Sequence, residues 1–169
     1  KSLDAFLFCC YAGMRYSDFT NLSKKNIVDI NQETWLIYKS VKTGTEVRLP
    51  LYLLFAGKGI VILNKYRNNL EDFFRLRDNS NINKDLIIIA KLAGLSKKIS
   101  FHTARHTNAT LLIYNGVNIT TVQKLLGHKS VKTTQVYTNI MDMTIVHDLE
   151  KIKQAALGIK KKTDNSFNK

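Results

Sequence analysis

A chain of 169 residues is long enough for one domain with a real core, and its 26 Lys and Arg against 13 Asp and Glu leave a net charge of +13. That charge favours a polyanionic partner, nucleic acid first and an anionic membrane surface second. Cys9 and Cys10 are adjacent, which argues against a disulfide between them and against a zinc site, and fits a reduced, intracellular setting.

Leu3, Phe6, Leu7, Cys10 and Tyr11 recur at helical spacing and predict a helix over 3–12, ended by Gly13. Asp4 interrupts the opening apolar stretch, so it reads as a buried helix rather than a signal peptide, and no run reaches transmembrane length. "RYSDFTNL" predicts a second, short helix. The period changes in "TWLIYKSVKTGTEVRLPL", where Trp35 and Ile37, then Val47, Leu49 and Leu51, are β-rich and partly alternating. The "KTGT" between them predicts a hairpin turn around Gly44, Pro50 fits the end of an edge strand, and "NIVDI" offers a third strand. Helical spacing returns from about Gly59 to Arg77. "NINKDLIIIAKLAGL" predicts a helix stopped by Gly94, and "HTARHTNATLLIYNG" one stopped by Gly116. "NITTVQKLLG" predicts a helix capped by Asn118 or Thr120 and stopped by Gly127; "SVKTTQVY" opens on a Ser cap. Ile145, Leu149 and Ile152 predict a C-terminal helix over about 142–157, and the basic polar tail 158–169 reads as disordered. The expected fold is one α+β domain over 1–157, mainly α with a small antiparallel β-sheet near its start.

The chemistry-bearing residues are weak signals singly. His102 and His106 have the i, i+4 spacing of metal ligands on a helix, but no acidic residue accompanies them and Arg105 would sit beside the cation. On its own, "HTARH" reads as a hydrogen-bonded core turn. "GKGI" lacks the flanking residues of a P-loop. Arg15 could merely cap a turn with Asp18, Lys42 could be a solvated hairpin lysine, and Tyr137 competes with six other tyrosines. His106 reads as a buried hydrogen-bond partner rather than a catalytic group.

Taken in order, "GMRYSD", "VKTG", "HTARH", "LLGH" and "VY" resemble the tyrosine recombinase (phage integrase) family, over about Leu3 to Ile140. The resemblance implies the DNA breaking-rejoining catalytic fold, shared with type IB topoisomerases. It implies that Arg15 is the first family arginine, Lys42 the hairpin lysine, and His102 with Arg105 the His-x-x-Arg pair. His128 falls at the position that is His or Trp in the family, Tyr137 at the nucleophile, and Asp18 at a supporting acidic position. The family's amino-terminal core-binding domain, which clamps DNA, has no counterpart in this chain. The chain starts without Met and so reads as a fragment.

The residue types suit the chemistry that the resemblance implies. Attack on a phosphodiester builds charge on the non-bridging oxygens, which two guanidiniums can hold bidentately, with a further bond from His128. A free phenol has a pKa of about 10, so Tyr137 needs help losing its proton; the arginines favour phenolate and His102 could steer the proton. The leaving 5′-hydroxyl needs an acid, which the family assigns to lysine, here Lys42. The implied product is a 3′-phosphotyrosine and a free 5′-hydroxyl, formed without ATP, metal or cofactor.

The expected function is therefore site-specific recombination of double-stranded DNA, integration or excision, as in an integrase of a mobile element. The expected setting is cytoplasmic and nucleoid-associated, without a membrane. The expected assembly is a homo-oligomer, a tetramer on DNA, held through the C-terminal helix; that helix packing on its own domain is the equal alternative. Topoisomerase-like relaxation and a non-enzymatic DNA-binding module are the competing functions.

Overall fold

Helix α1 (Ser2–Ala12) is apolar on most sides, and the fold uses it accordingly: Ala5, Phe8, Cys9, Cys10 and Ala12 are all buried. A helix hydrophobic nearly all round belongs in the middle of a core. The computed structural model describes residues 1–137 together with 149, 150, 152 and 153. Burial raises both thiols, that of Cys10 to about 12, so neither is a poised nucleophile.

After the left-handed turn at Gly13 comes α2 (Tyr16–Thr20). Its Phe19 is fully buried and meets the rings of Phe8, Phe73, Phe74 and Phe101 at centroid distances of 5.3–6.1 Å. This edge-to-face and tilted cluster fixes α2, and α2 carries Asp18. Strands β1 (Ile27–Ile30), β2 (Glu33–Lys39) and β3 (Glu46–Pro50) form an antiparallel sheet in chain order. Leu36 pairs with Leu49 and Tyr38 with Val47, and all four are buried, so the alternation places one face on the core. Pro50 closes β3 at the sheet edge, as its missing N–H requires.

The expected helical stretch over 59–77 is two helices, α3 (Lys58–Lys65) and α4 (Leu70–Phe74). Asn69 makes the break, because its side chain accepts a hydrogen bond from the Asp72 N–H at 3.1 Å and starts a new helix. A short 3-10 turn, Leu54–Gly57, precedes α3, and within it Phe55 and Ala56 take positive φ values of 49° and 53°. Apolar periodicity gives no sign of that turn. Helix α5 (Asn79–Leu92) leads to α6 (Phe101–Tyr114), whose Ser100 and Thr103 form a reciprocal capping box. Helix α7 (Ile119–Leu126) is capped by Asn118, which accepts from the Thr120 N–H at 2.9 Å, and ends at left-handed Gly127. A short turn, α8 (Lys132–Gln135), follows; its N-cap position is Val131 rather than Ser130, although the Ser130 hydroxyl accepts from the Lys132 N–H at 3.2 Å.

The expected C-terminal helix and tail lie outside the described residues, apart from helical Leu149, Glu150, Ile152 and Lys153. Among the described residues no helix is long and apolar enough to cross a membrane.

Candidate active site

Arg105 is the centre of the site and is only 1% exposed. A buried guanidinium must be paired or hydrogen-bonded. Here it donates to two backbone carbonyls: Nη1 to Gly13 O at 2.7 Å and Nη2 to Leu126 O at 2.6 Å. Both acceptors lie at helix C-termini, those of α1 and α7, where unpaired carbonyls carry the negative end of the helix dipole. Both helices end in left-handed glycines, Gly13 at φ 68° and Gly127 at φ 63°. A Cβ on Gly13 would lie 2.6 Å from Asn108 Oδ1, and one on Gly127 2.6 Å from Val47 Cγ2. Glycine therefore serves twice at each turn, for its φ and for its lack of a side chain. Buried Asn108, one turn along α6, donates to Cys10 O at 3.0 Å and Tyr11 O at 2.9 Å, locking the end of α1 beside Arg105. Burial first, and then the charge of Arg15, lowers Arg105 to about 10, which keeps it charged at neutral pH.

Arg15, at the start of α2, lies partly buried with Nη1 at 3.4 Å from Asp18 and 3.2 Å from the Ser40 hydroxyl. The Asp18 carboxylate is 1% exposed and also accepts from the Val41 N–H at 2.8 Å and from the Ser40 hydroxyl at 3.3 Å. Asp18 thus ties Arg15 to the base of the β2–β3 hairpin. Lys42 stands exposed on that hairpin. Next to it, the Thr43 hydroxyl donates to Gly127 O at 3.0 Å and docks the hairpin onto the α7 turn. The hydroxyl of buried Tyr38 has no hydrogen-bond partner among the described residues, and burial raises its pKa.

His128 follows Gly127 and is buried. Gln123 clamps its backbone: the Gln123 side-chain amide donates to His128 O at 3.0 Å, and the His128 N–H donates to Gln123 O at 3.1 Å. Its Nδ1 lies 2.9 Å from the hydroxyl of Thr134. Burial and then the charges of Arg105, Arg15 and Lys42 push His128 down to about 4, so its ring is neutral at pH 7. His102 is exposed on the first turn of α6; its pKa is lowered by partial desolvation of the ring, then by His106, Arg105, Arg15 and Lys42.

Tyr137 follows α8 and is 7% exposed. Burial raises its pKa, while Arg105 and Arg15 pull it down more weakly. The expectation that the arginines favour phenolate is right for their own effect, but desolvation outweighs it and the resting group is a phenol. The structure thus brings Arg15, Lys42, His102, Arg105, His128 and Tyr137 into one electrostatic cluster, with Asp18 behind Arg15.

His106 departs from its expected place as a buried hydrogen-bond partner. It is exposed, with its ring edge-on to His102 at 4.4 Å and to Tyr137 at 5.4 Å. The i, i+4 spacing to His102 foretold the first contact, and nothing local foretold the second. Thr134, Gln123, Ser40, Thr43 and Asn108 carried no signal of their own, because ordinary polar residues gain these roles only through distant partners. Among the described residues no group of three or more His, Cys, Asp and Glu side chains is placed to hold a metal ion.

A phosphate fits this cluster in charge and in donors. Arg105 uses two N–H groups on carbonyls, out of the five that a guanidinium has.

Comparison with known proteins identifies the family and the fold. The phage integrase family model matches residues 1–143. A tyrosine recombinase XerC of Rickettsia prowazekii is 30% identical over 159 residues, covering 89% of this chain and 49% of that protein. A tyrosine recombinase XerA of Saccharolobus solfataricus is 34% identical over 134 residues, covering 76% of this chain and 42% of that one. A crystal structure of XerA recombinase superposes with a TM-score of 0.68 at 26% identity, over 89% of this chain and 62% of that chain. Lambda integrase residues 75–356, solved as a dimer bound to a COC′ core site, shares the fold with a TM-score of 0.64 at 22% identity, over 80% of this chain and 51% of that one. The chain spans about half the length of the curated relatives it matches. With the order of its motifs, the helical domain with one small sheet, and a family match over most of its length, the chain belongs to the phage integrase family.

Proposed function

We propose that the chain catalyses site-specific recombination, integration or excision, by cutting and rejoining double-stranded DNA through a covalent 3′-phosphotyrosine at Tyr137. The observation that carries this reading is the near-buried Tyr137 phenol within the field of both Arg15 and Arg105. The guanidiniums of Arg105 and Arg15, with His128, hold the non-bridging oxygens as charge builds on them. The phosphate anion adds no positive charge to stabilise phenolate, so the phenol proton must leave during attack, and His102 accepts it or steers it to water. Lys42 reaches from the hairpin and protonates the departing 5′-oxygen. One phosphodiester replaces another, so the reverse attack by a 5′-hydroxyl rejoins the strand without an energy source.

The partner is double-stranded DNA, drawn by the +13 charge. Exposed Lys39 and Lys42 on the hairpin, and Lys124, Lys129 and Lys132 on either side of the Gly127 turn, are suited to phosphate contacts. The assembly on DNA is a homo-oligomer, a tetramer, joined through the C-terminal segment. Helical Leu149 and Ile152, 60% and 66% exposed, favour that arrangement.

A nicked suicide substrate tests the reading. It should trap a covalent protein–DNA adduct that Tyr137→Phe abolishes while DNA binding persists. An adduct on another tyrosine, or none, overturns it. Relaxation of a supercoiled plasmid lacking any recombination site would replace it with a topoisomerase.

A further inference from the structure

We infer that Thr134 is a positioning residue whose hydroxyl donates to Nδ1 of His128 and so holds the imidazole in the tautomer with its proton on Nε2, ready to donate to a phosphate oxygen. The phosphate part of this inference rests on the proposed function; the hydrogen bond and the tautomer do not.

Three observations meet at this contact. Thr134 is 0% exposed, and its Oγ1 lies 2.9 Å from Nδ1. A hydroxyl has one proton to place, and a buried donor without an acceptor costs about 1–3 kcal/mol. Among the described residues, His128 is the side-chain partner of that hydroxyl. If Nδ1 carried the proton, the hydroxyl would only accept, and its own buried proton would go unpaired. If Nδ1 offers its lone pair, the hydroxyl donates and the ring proton sits on Nε2. The remaining choice, an imidazolium with both nitrogens protonated, is opposed by the surrounding positive groups Arg105, Arg15 and Lys42. The neutral ring therefore has to choose a tautomer, and Thr134 makes the choice.

The choice matters because the two tautomers are opposites toward an anion. Nε2–H donates to a phosphoryl oxygen; an Nε2 lone pair repels it. Thr134 is also tied to the nucleophile, since the Tyr137 N–H donates to Thr134 O at 3.1 Å. One helical turn thus sets the proton of the oxyanion donor and the backbone of the attacking residue together.

The test is nitrogen NMR of the 15N-labelled full chain at neutral pH, with the His128 signals identified by their loss in His128→Gln. The wild-type ring should show a protonated Nε2 and an unprotonated Nδ1. Thr134→Val, close in shape but without the hydroxyl, should give a mixture of tautomers. It should also slow cleavage of the nicked substrate by about 3–30-fold, below the ~10²–10³-fold of losing an oxyanion donor outright. Thr134→Ser should restore both readouts. A wild-type ring with its proton on Nδ1 overturns the inference without recourse to any variant, as does a folded Thr134→Val chain that keeps the Nε2 tautomer. A wild-type chain with Nε2 protonated that never forms an adduct with DNA supports the hydrogen-bond assignment and overturns the proposed function instead.

Discussion

Arg105 and Lys42 belong to one charged cluster and are held in opposite ways. Arg105 is 1% exposed and fixed by two carbonyls from helices distant in the chain, whereas Lys42 is exposed on a hairpin anchored through its neighbours Val41 and Thr43. The difference suits the two kinds of work proposed for them. A group that stabilises charge on a phosphate must be in place before the charge appears, since reorganising it during reaction would forfeit the gain. A group proposed to deliver one proton must reach, release and withdraw, which an exposed arm on a hairpin is suited to do.

The contrast is most sharply broken by substitution at the two positions. Arg105→Ala should abolish detectable cleavage and also destabilise the fold by about 1–3 kcal/mol for each carbonyl it abandons, seen as a lower Tm. Lys42→Ala should slow cleavage by ~10²–10⁴-fold while Tm stays put, because the side chain is exposed. A substrate with sulfur at the 5′-bridging position needs no acid; it should rescue Lys42→Ala and not Arg105→Ala. Equal rescue, or a matching fall in Tm, would erase the distinction.

The glycines of the two regions extend the comparison. Gly127→Ala places a Cβ 2.6 Å from Val47 Cγ2 at φ 63° and shifts the Leu126 carbonyl under Arg105. It should cost about 1–3 kcal/mol of stability and reduce cleavage. Gly44→Ala, at φ 68° in the hairpin, meets only Lys39 Cε at 3.9 Å. It should cost no more than the left-handed conformation itself, about 1 kcal/mol. Chemical denaturation of the pair measures the difference.

The buried side should also reveal itself through pH. His128 falls from its ordinary 6.5 to about 4 in the folded chain. The unfolded chain therefore takes up a proton first, and stability is lost as pH falls from about 6.5 to about 4, with no contribution above that window. His102, also lowered, adds in the same direction. Denaturation midpoints across that range should fall less steeply in His128→Gln than in the wild-type chain.

The smallest effect belongs to the exposed ring between His102 and Tyr137. His106→Ala removes an edge contact worth about 0.5–1.5 kcal/mol and should slow cleavage only a few-fold. His106→Phe, which keeps a ring there, should behave like the wild type.

Much of this was legible in the sequence, and the reason is local. Helix ends were marked by Gly13, Gly116 and Gly127, and the sheet by β-rich runs around Gly44, because φ and periodicity are properties of short segments. The ordered motifs named the residues that the structure gathers. What stayed hidden lay in long-range or backbone partners. Arg105 is held by carbonyls 92 and 21 residues away, and a carbonyl has no residue type to announce it. The break at Asn69 was masked because apolar spacing resumes in register beyond it, and the left-handed Phe55 and Ala56 occupy positions where no propensity would place them.

The two carbonyls under Arg105 have a consequence for the chain as it is being made. Gly13 precedes Arg105 by 92 residues and Leu126 follows it by 21, so the cradle for the guanidinium is incomplete until all three segments have been made and docked. Tyr137 comes later still. A partly folded chain therefore lacks the fixed Arg105 guanidinium, and the DNA cutting and resealing proposed for this site would both wait on the docked domain.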